Sequence, residues 1–348
     1  METYRAVIVG LTGIGARRPP EPTDLPLYGA LPASHAASYH RHPQTEVTGV
    51  CDLRQEVLDE FRENWADVWP QVRCYTDYRE MLEKESPDLV SVATSDHMHA
   101  DITVDAAEGS ARGILCEKPI ATTLADADRM IAAAEANDVV LSIEHTRRWN
   151  ADHHRVRELI RSGEIGSLRT IVATLLSPRA MLFRNGTHTI DTICFFAESD
   201  PVWVSAELEE GFDHFTEFNT EGGRDPGADP AASAYIRFAN GVRAFYNGVK
   251  TSMLGSQLEL QCDEGRVEVS ERGAALFQSH SHVDWTRREL RPGRYMYTQQ
   301  LGAVAELVDA VENGRELVSP AREARKTLQI ILAMLKSNGG GNTRIDLS

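Results

Sequence analysis

The sequence lacks the features that mark membrane, nucleic-acid-binding and disulfide-stabilised proteins. No apolar stretch is long enough to cross a bilayer, and METYRAVIVG enters a strand-like run with no basic region before it. Lys and Arg number 36 against 52 Asp and Glu, and the formal charge of −16 repels phosphate backbones and anionic membranes. The 5 cysteines are scattered, without a C-x-x-C pair, which argues against a disulfide framework or a zinc ribbon. We therefore expect a cytoplasmic protein without nucleic-acid or membrane partners.

The length and the order of the apolar runs indicate two domains. With 348 residues, 42% of them hydrophobic, the chain exceeds what one compact core usually holds. Residues 1–145 alternate continuous apolar runs with helical patterns, which predicts an α/β domain with a doubly wound parallel sheet. Residues 146–348 hold longer alternating strands and hairpin turns such as Asn240-Gly241, which predict an α/β domain with a large, mostly antiparallel sheet. One face of that sheet needs a cover, either of helices or of another subunit, and we expect a homodimer or homotetramer through the C-terminal sheet.

A glycine-rich segment follows the first strand directly. Residues 10–15 read G-x-x-G-x-G, and glycines at this point let backbone N–H groups approach the phosphates of a dinucleotide at a helix N-terminus. The helix that should follow is delayed by a proline-rich insertion at about residues 16–32. A plain turn is the alternative for these glycines. The cofactor contacts expected here are Gly10, Thr12, Gly13, Ile14 and Gly15.

The second strand ends at Asp52, whose carboxylate is placed to accept hydrogen bonds from the adenosine ribose. Because Asp52 repels a 2′-phosphate, this residue favours NAD over NADP. Arg54 is able to pair with that phosphate, so NADP stays open, and Leu53 between them is expected to contact the adenosine. The alternative for Asp52 is a cap of the helix that follows it.

Four further segments carry a resemblance to a known family. DLVSVATSDHMHAD contains a strand that ends in Ala-Thr-x-x-x-x-His, and GILCEKPI contains one that ends in Glu-Lys-Pro. With EHTRRW and NGTHTIDTICFF after them, in that order, they resemble the Gfo/Idh/MocA family of NAD(P)-dependent oxidoreductases. The resemblance implies a Rossmann domain, then an α/β domain with a large antiparallel sheet. It also implies hydride transfer between nicotinamide and a secondary alcohol or keto group of a sugar, cyclitol or related polyol.

The resemblance assigns catalytic and cofactor roles to the segment around Glu-Lys-Pro. Lys118 is expected beside the nicotinamide, where it polarises the substrate oxygen, with Glu117 as the neighbouring counter-charge. A cis bond before Pro119 is one way to hold this corner. The alternative is a surface salt bridge at a strand end. Further cofactor contacts are expected from Thr94, Ser95 and His99.

A histidine in the second domain completes the chemistry that the resemblance implies. The segment RNGTHTID matches the family motif D-x-x-x-H-x-x-D, so His188 is the candidate base, with a plain helix-start residue as the alternative. Asp191, one helical turn on, binds a substrate hydroxyl or orients the imidazole. Arg184 stands where many members carry aspartate, and either binds a carboxylate or phosphate on the substrate or points to solvent. The other substrate-binding candidates are Arg148, Trp149, Asn185, Thr187 and Tyr297. For Arg148, Trp149 and Tyr297, a role in packing or a position on the surface is an equal alternative.

Two rival functions remain beside the dehydrogenase. Some relatives use bound NAD for transient oxidation during glycoside cleavage, and some proteins of this fold are regulators that sense a nucleotide without turnover. The presence of both Lys118 and His188 argues against a regulator. No metal is expected, because the paired histidines of the sequence lack further ligands at zinc-site spacing.

Overall fold

The computed structural model describes residues 3–18, 34–218, 225–270, 272–279, 281–292 and 299–347. Most of the insertion expected at about residues 16–32 lies outside these ranges. The chain forms two compact units. Unit 1 comprises Met1–Trp149 and Met296–Arg322, and unit 2 comprises Asn150–Tyr295 and Glu323–Ser348.

The helices and strands are named in chain order. The strands are β1 (Tyr4–Val9), β2 (Thr45–Cys51), β3 (Arg73–Tyr75), β4 (Leu89–Val92), β5 (Gly113–Cys116), β6 (Val140–Ile143), β7 (Leu168–Leu176), β8 (Pro201–Leu208), β9 (Ala232–Phe238), β10 (Arg243–Val249), β11 (Gly255–Cys262), β12 (Arg266–Ser270), β13 (Gly273–Ser279), β14 (Trp285–Leu290) and β15 (Ile345–Asp346). The helices are α1 (His35–Arg41), α2 (Gln55–Trp65), α3 (Tyr78–Glu85), α4 (His99–Ala107), α5 (Leu124–Ala136), α6 (Ala151–Arg161), α7 (Thr187–Ala197), α8 (Gln299–Asn313) and α9 (Ala321–Gly339). None of the described helices is long and apolar enough to span a bilayer.

Unit 1 is built on a parallel sheet with the strand order β3-β2-β1-β4-β5-β6. Every residue of β4 and β5 is buried, as the continuous apolar runs of the sequence predict for a sheet covered on both faces. This order is that of a doubly wound dinucleotide-binding sheet, in which ligands bind beyond the carboxyl ends of the strands. The predicted fold of the first domain is therefore confirmed.

Polar side chains set the starts of several helices in unit 1. The Ser34 side chain accepts a hydrogen bond from the N–H of Ala37 at 3.1 Å, and this bond caps α1. Asp77 and Thr123 cap α3 and α5 in the same way. Each cap satisfies a backbone donor that the first helical turn leaves open, which fixes where the helix begins.

Helix α8 packs on β5, β6 and α1, although 146 residues separate its segment Met296–Arg322 from Trp149. A Cβ on Gly113 would lie 2.9 Å from the Val311 side chain and 3.2 Å from that of Leu307, so α8 approaches the sheet closely there. The structure thus differs from the expected division at residue 145. An amphipathic pattern shows that a helix covers a core, but it does not show which of two sheets the helix covers.

Unit 2 is built on a sheet with the order β14-β13-β12-β11-β7-β10-β9-β8-β15. The pair β7–β10 is parallel, and the other neighbouring pairs are antiparallel. The predicted hairpin at Asn240-Gly241 joins β9 to β10, with a φ of +95° at Gly241. The mostly antiparallel sheet expected for the second domain is confirmed.

One face of this sheet is partly open. Residues along β10 alternate strictly between exposed and buried, so every second residue of this strand is exposed. The apolar side chains on this face include Val172, Phe245 and Val249, which are 36%, 43% and 40% exposed. The other face packs against α7 through β7. The expected homo-oligomer stays a prediction.

Candidate active site

The first part of the site is the glycine turn that follows β1. Gly10 has a φ of +89°, and a Cβ there would lie 2.4 Å from the carbonyl oxygen of Ala93, so glycine is required. A Cβ on Gly15 would lie 2.0 Å from the carbonyl oxygen of Gly10. Gly13 differs, since among the described residues beyond its chain neighbours no atom lies within 4 Å of its Cβ position. The turn is therefore closed towards the sheet and open at Gly13, which fits a diphosphate bound to backbone N–H groups.

Helix α1 contacts this turn despite the insertion. The N–H of His35 donates to the carbonyl of Ile14 at 2.9 Å, and the N–H of Ala36 donates to the carbonyl of Gly15 at 3.0 Å. These bonds use two backbone donors of the first turn of α1, which are therefore not available to a phosphate. The exposed residues Thr12 to Ile14 are the part of the turn that remains accessible to a ligand.

Asp52 lies beside the glycine turn and accepts two backbone hydrogen bonds. The N–H of Leu11 donates to its Oδ2 at 3.1 Å, and the N–H of Arg54 donates to its Oδ1 at 3.1 Å. Arg54 Nε lies 3.6 Å from the same Oδ1. The N-cap of α2 is Arg54, without a side-chain cap bond, so Asp52 is not the helix cap that the sequence left open. Leu53 is 86% exposed.

His99 connects the ends of β4 and β5. It is fully buried at the start of α4, and its Nδ1 lies 2.8 Å from the carbonyl oxygen of Pro119. Its Nε2 lies 3.3 Å from the carbonyl oxygen of Thr94. Ser95 follows Thr94 and accepts the N–H of Met98 at 2.9 Å. His99 therefore holds the two loops together through their backbones.

Glu117 is buried directly after β5 and pairs with a residue that the sequence did not suggest. His35 Nε2 lies 3.3 Å from Glu117 Oε1, and the N–H of Lys118 donates to Oε2 at 3.2 Å. Burial alone would raise the pKa of Glu117, but the hydrogen bond and charge of His35, with the charge of Lys118, lower it. Glu117 is thus held by α1 as well as by its neighbour, which is half-buried.

A chain of buried polar groups continues behind Glu117. His35 Nδ1 lies 2.9 Å from Ser91 Oγ, and the Tyr39 hydroxyl lies 2.9 Å from the same oxygen. Burial raises the pKa of Tyr39 to about 12. The peptide bond between Lys118 and Pro119 is cis, one of the arrangements that the sequence left open. The sequence around His35 and Ser91 gives no sign of these contacts, because they join α1 to β4 and to the residue that follows β5.

Arg148 and Trp149 make packing contacts within unit 1. Trp149 is fully buried, and its Nε1 donates to Glu306 Oε2 at 3.1 Å. Arg148 Nη1 donates to the carbonyl of Val318 at 2.9 Å, and the N–H of Val318 donates to the same Glu306 oxygen at 3.1 Å. Burial raises the pKa of Glu306. These contacts favour the packing alternative for both residues.

A separate group of candidate residues lies in unit 2, in a π-helical turn over Leu182–Gly186 that leads into α7. A Cβ on Gly186 would lie 2.8 Å from the carbonyl oxygen of Met181, so a side chain does not fit there. Asp229 Oδ2 accepts the N–H of Phe183 at 3.0 Å from outside the turn. Asp229 is buried, and sequence reasoning missed it because it comes from a distant loop.

His188 lies in the first turn of α7 and is half-buried. Its carbonyl accepts the hydroxyl of Thr192 at 2.7 Å. Asp191, one turn further on, is fully buried, and its Oδ1 accepts the hydroxyl of Thr327 from α9 at 3.3 Å. The spacing of three residues places His188 and Asp191 on the same side of the helix.

Arg184 is buried in the π-helical turn, so the solvent-facing alternative does not apply. Its Nη1 donates to the carbonyl of Phe183 at 3.0 Å, and its Cζ lies 5.7 Å from the centre of the Phe218 ring. The rings of Phe183 and Phe218 stack with centres 3.8 Å apart. Asn185 Nδ2 donates to Ser177 Oγ at 3.3 Å. Of the remaining candidates, Thr187 is buried at the start of α7, and Tyr297 lies outside the described residues.

Two family models match the chain. The model described as an oxidoreductase family with an NAD-binding Rossmann fold matches residues 28–145. The model described as the GFO/IDH/MocA C-terminal domain matches residues 153–268. The first covers most of the parallel sheet, and the second covers the π-helical turn, α7 and several strands of the large sheet.

Characterised and solved proteins show the same similarity. "Myo-inositol 2-dehydrogenase" of Thermotoga maritima is 24% identical over 246 residues, which are 69% of this chain and 72% of that protein. "1,5-anhydro-D-fructose reductase" of Ensifer adhaerens is 30% identical over 210 residues, 56% of this chain and 60% of that protein. The structure of the WlbA dehydrogenase from Bordetella pertussis, in complex with NADH and UDP-GlcNAcA, superposes with a TM-score of 0.74 at 17% identity. That match covers 100% of this chain and 99% of that one.

Proposed function

The chain belongs to the Gfo/Idh/MocA family of NAD-binding oxidoreductases, and from this premise we propose a dehydrogenase or reductase activity for it. The proposed substrate is a secondary alcohol or keto group of a sugar, cyclitol or related polyol. The names of the Thermotoga and Ensifer relatives, a cyclitol dehydrogenase and a sugar reductase, support this substrate class.

The observation that carries the proposal is the position of Lys118. It follows β5 directly, at the carboxyl edge of a doubly wound sheet, where ligands of this fold bind. Glu117 before it is tied to α1 through His35, and Pro119 after it is tied to α4 through His99. A lysine fixed on both sides in this way is suited to a catalytic role rather than to a surface ion pair.

The proposed mechanism divides the work between two side chains. Nicotinamide, when bound, accepts or supplies the hydride. Lys118 donates a hydrogen bond to the substrate oxygen and so favours loss of the hydroxyl proton. His188 accepts that proton in oxidation and returns it in reduction, a task suited to imidazole near neutral pH.

We propose NAD as the preferred cofactor. Asp52 places a carboxylate next to the glycine turn, and its backbone bonds to Leu11 and Arg54 hold it there. A carboxylate in that position accepts ribose hydroxyls and repels a 2′-phosphate. Arg54 lies near Asp52, which keeps NADP as the alternative cofactor.

The large sheet supports a proposed homodimer. Its open face carries Val172, Phe245 and Val249 as partly exposed apolar side chains on neighbouring strands. A second copy of the same sheet is the cover that a closed two-fold arrangement would supply.

The proposal is tested by nicotinamide absorbance on mixing the protein with NAD or NADP and a panel of sugars, cyclitols and sugar acids. Sugar acids belong in the panel because Arg184 is suited to bind a carboxylate. We expect turnover by the parent and a kcat about 10²–10⁴-fold lower in His188→Ala, the usual worth of a general base. His214→Ala, which changes an exposed histidine of the same unit, is the control.

Two outcomes would contradict the dehydrogenase. Glycoside hydrolysis without net change in the cofactor would favour the glycoside-cleaving alternative. NADH binding, measured by fluorescence, without turnover of any compound would favour the regulator.

A further inference from the structure

A second buried glutamate follows the strand next to Glu117. In the register of β5 and β6, Cys116 lies opposite Ile143. The N–H of Glu117 donates to Val92 O at 2.8 Å, and the N–H of Glu144 donates to Cys116 O at 2.8 Å, so the ladder continues one residue further. The two glutamates are therefore neighbours across adjacent strands. Their exposed fractions are 8% and 1%.

The two carboxyl groups have different surroundings. Glu117 has His35 at one oxygen and the N–H of Lys118 at the other. Neither oxygen of Glu144 has a hydrogen-bond partner among the residues that the structure describes. A carboxylate buried without a partner is strongly disfavoured against its neutral form. In agreement, burial first and the charge of Glu117 second raise the pKa of Glu144 well above its usual range.

Among the residues that the structure describes, the nearest cation to this pair is Lys118, whose charge and backbone N–H act on Glu117. From α1 come His35, already paired with Glu117, and Tyr39, which lies next to Ser91 of β4.

We propose that Glu144 is a positioning residue that carries a proton at neutral pH, so that Glu117 stays the single carboxylate beside Lys118. The part of this inference that concerns Lys118 depends on the function proposed above. When Glu144 loses its proton to solvent, two buried carboxylates lie side by side across adjacent strands. Their repulsion moves Glu117 away from His35 and displaces the turn that carries Lys118.

The proposed protonation of Glu144 is tested on the protein without cofactor. The free energy of unfolding is measured against pH for the parent, for Glu144→Gln and for Glu144→Met, since both substitutions remove the titrating group. The unfolded chain releases this proton near its ordinary pKa, about 4.3, whereas the folded chain keeps it to a higher pH. Between these two pKa values stability falls as pH rises, and the unfolding constant of the parent increases by up to tenfold per pH unit more than that of either variant.

The control for this measurement is Glu63→Gln, the same substitution at an exposed position of α2. We expect its pH profile to run parallel to that of the parent. If the parent and whichever Glu144 variants fold have equal pH profiles, the proposed protonation of Glu144 is wrong.

The positioning role is tested by NADH binding, measured by fluorescence against pH. We expect the affinity of the parent to fall by up to tenfold per pH unit once Glu144 ionises, and that of Glu144→Gln to stay level over the same range. A parent and a variant with equal binding profiles would overturn the positioning role. A parent that binds no NADH would contradict the proposed function instead. The unfolding profile would still show whether Glu144 is protonated in the folded protein.

Discussion

The two sheets of the molecule differ in whether both of their faces are buried. In unit 1, adjacent residues of β5 such as Ile114 and Leu115 point to opposite faces, and both are fully buried. In unit 2, adjacent residues of β10 differ, since Tyr246 is buried and Phe245 is 43% exposed. One sheet is sealed by its own chain, whereas the other keeps a face for a further layer.

This difference explains where polar groups occur. A strand sealed on both faces has little room for charged side chains, so β4 and β5 carry none, and Glu117 and Lys118 follow directly after Cys116. In unit 2 the sheet has a free face, and the candidate base His188 lies on α7, which packs on the covered face. The candidate lysine is therefore positioned by the end of a sealed strand, and the candidate base is positioned by a helix that covers one face of the open sheet.

The largest effect is expected where the sealed sheet meets the glycine turn. Gly10→Ala puts a methyl group 2.4 Å from the carbonyl oxygen of Ala93 at a φ of +89°. We expect a loss of about 3 kcal/mol in the free energy of unfolding, from overlap and left-handed strain together. The control is Gly13→Ala, where φ is +53° and the space is open, with an expected loss of about 1 kcal/mol. Equal losses in denaturant unfolding would contradict the closed geometry at Gly10.

The sealing of β5 is tested by truncating its two faces separately. Ile114→Ala and Leu115→Ala are each expected to cost about 3 kcal/mol of unfolding free energy, because both side chains are fully buried. Denaturant titration of the two variants gives both values. A much smaller loss at one position would show that one face of the sheet is not tightly packed.

The smallest change in stability is expected on the open face of unit 2. Phe245→Glu should alter the free energy of unfolding of a monomer by less than about 1 kcal/mol, since the side chain is partly exposed. If a second copy covers this face, the same variant shifts the mass measured by light scattering towards the monomer. Val283→Glu, at a residue 92% exposed and outside the strands, should leave the mass unchanged. An unchanged mass for Phe245→Glu would contradict the proposed dimer face.

The features of the fold that are local in sequence could be predicted. Continuous apolar runs indicated the sealed parallel sheet, and alternating runs with turns such as Asn240-Gly241 indicated the antiparallel one. The position of α8 could not be predicted, because its apolar stripe fits either sheet. The sequence does not show which residues meet across the two elements. For example, the lack of a side chain at Gly113 matters only because Val311 of α8 packs against it.

The candidate site divides in the same way. Lys118 and His188 were found through motifs, and their roles stay predictions. His35 and Glu144 were missed, because a lone histidine on a helix and a glutamate after a strand have no pattern that names their partners. Arg148 and Trp149 lie in a motif, but their side chains make packing contacts, which the motif alone does not distinguish from substrate contacts.

The return of α8 to unit 1 has a consequence for the order of events during synthesis. When the ribosome has added Trp149, all six strands of the parallel sheet exist, but the helix that covers β5 and β6 does not. The whole of Asn150–Tyr295 is translated before that helix emerges. A nascent chain of this length exposes an apolar sheet surface. Independent N-terminal domains commonly fold before the rest of the chain is made, but unit 1 has to wait for α8.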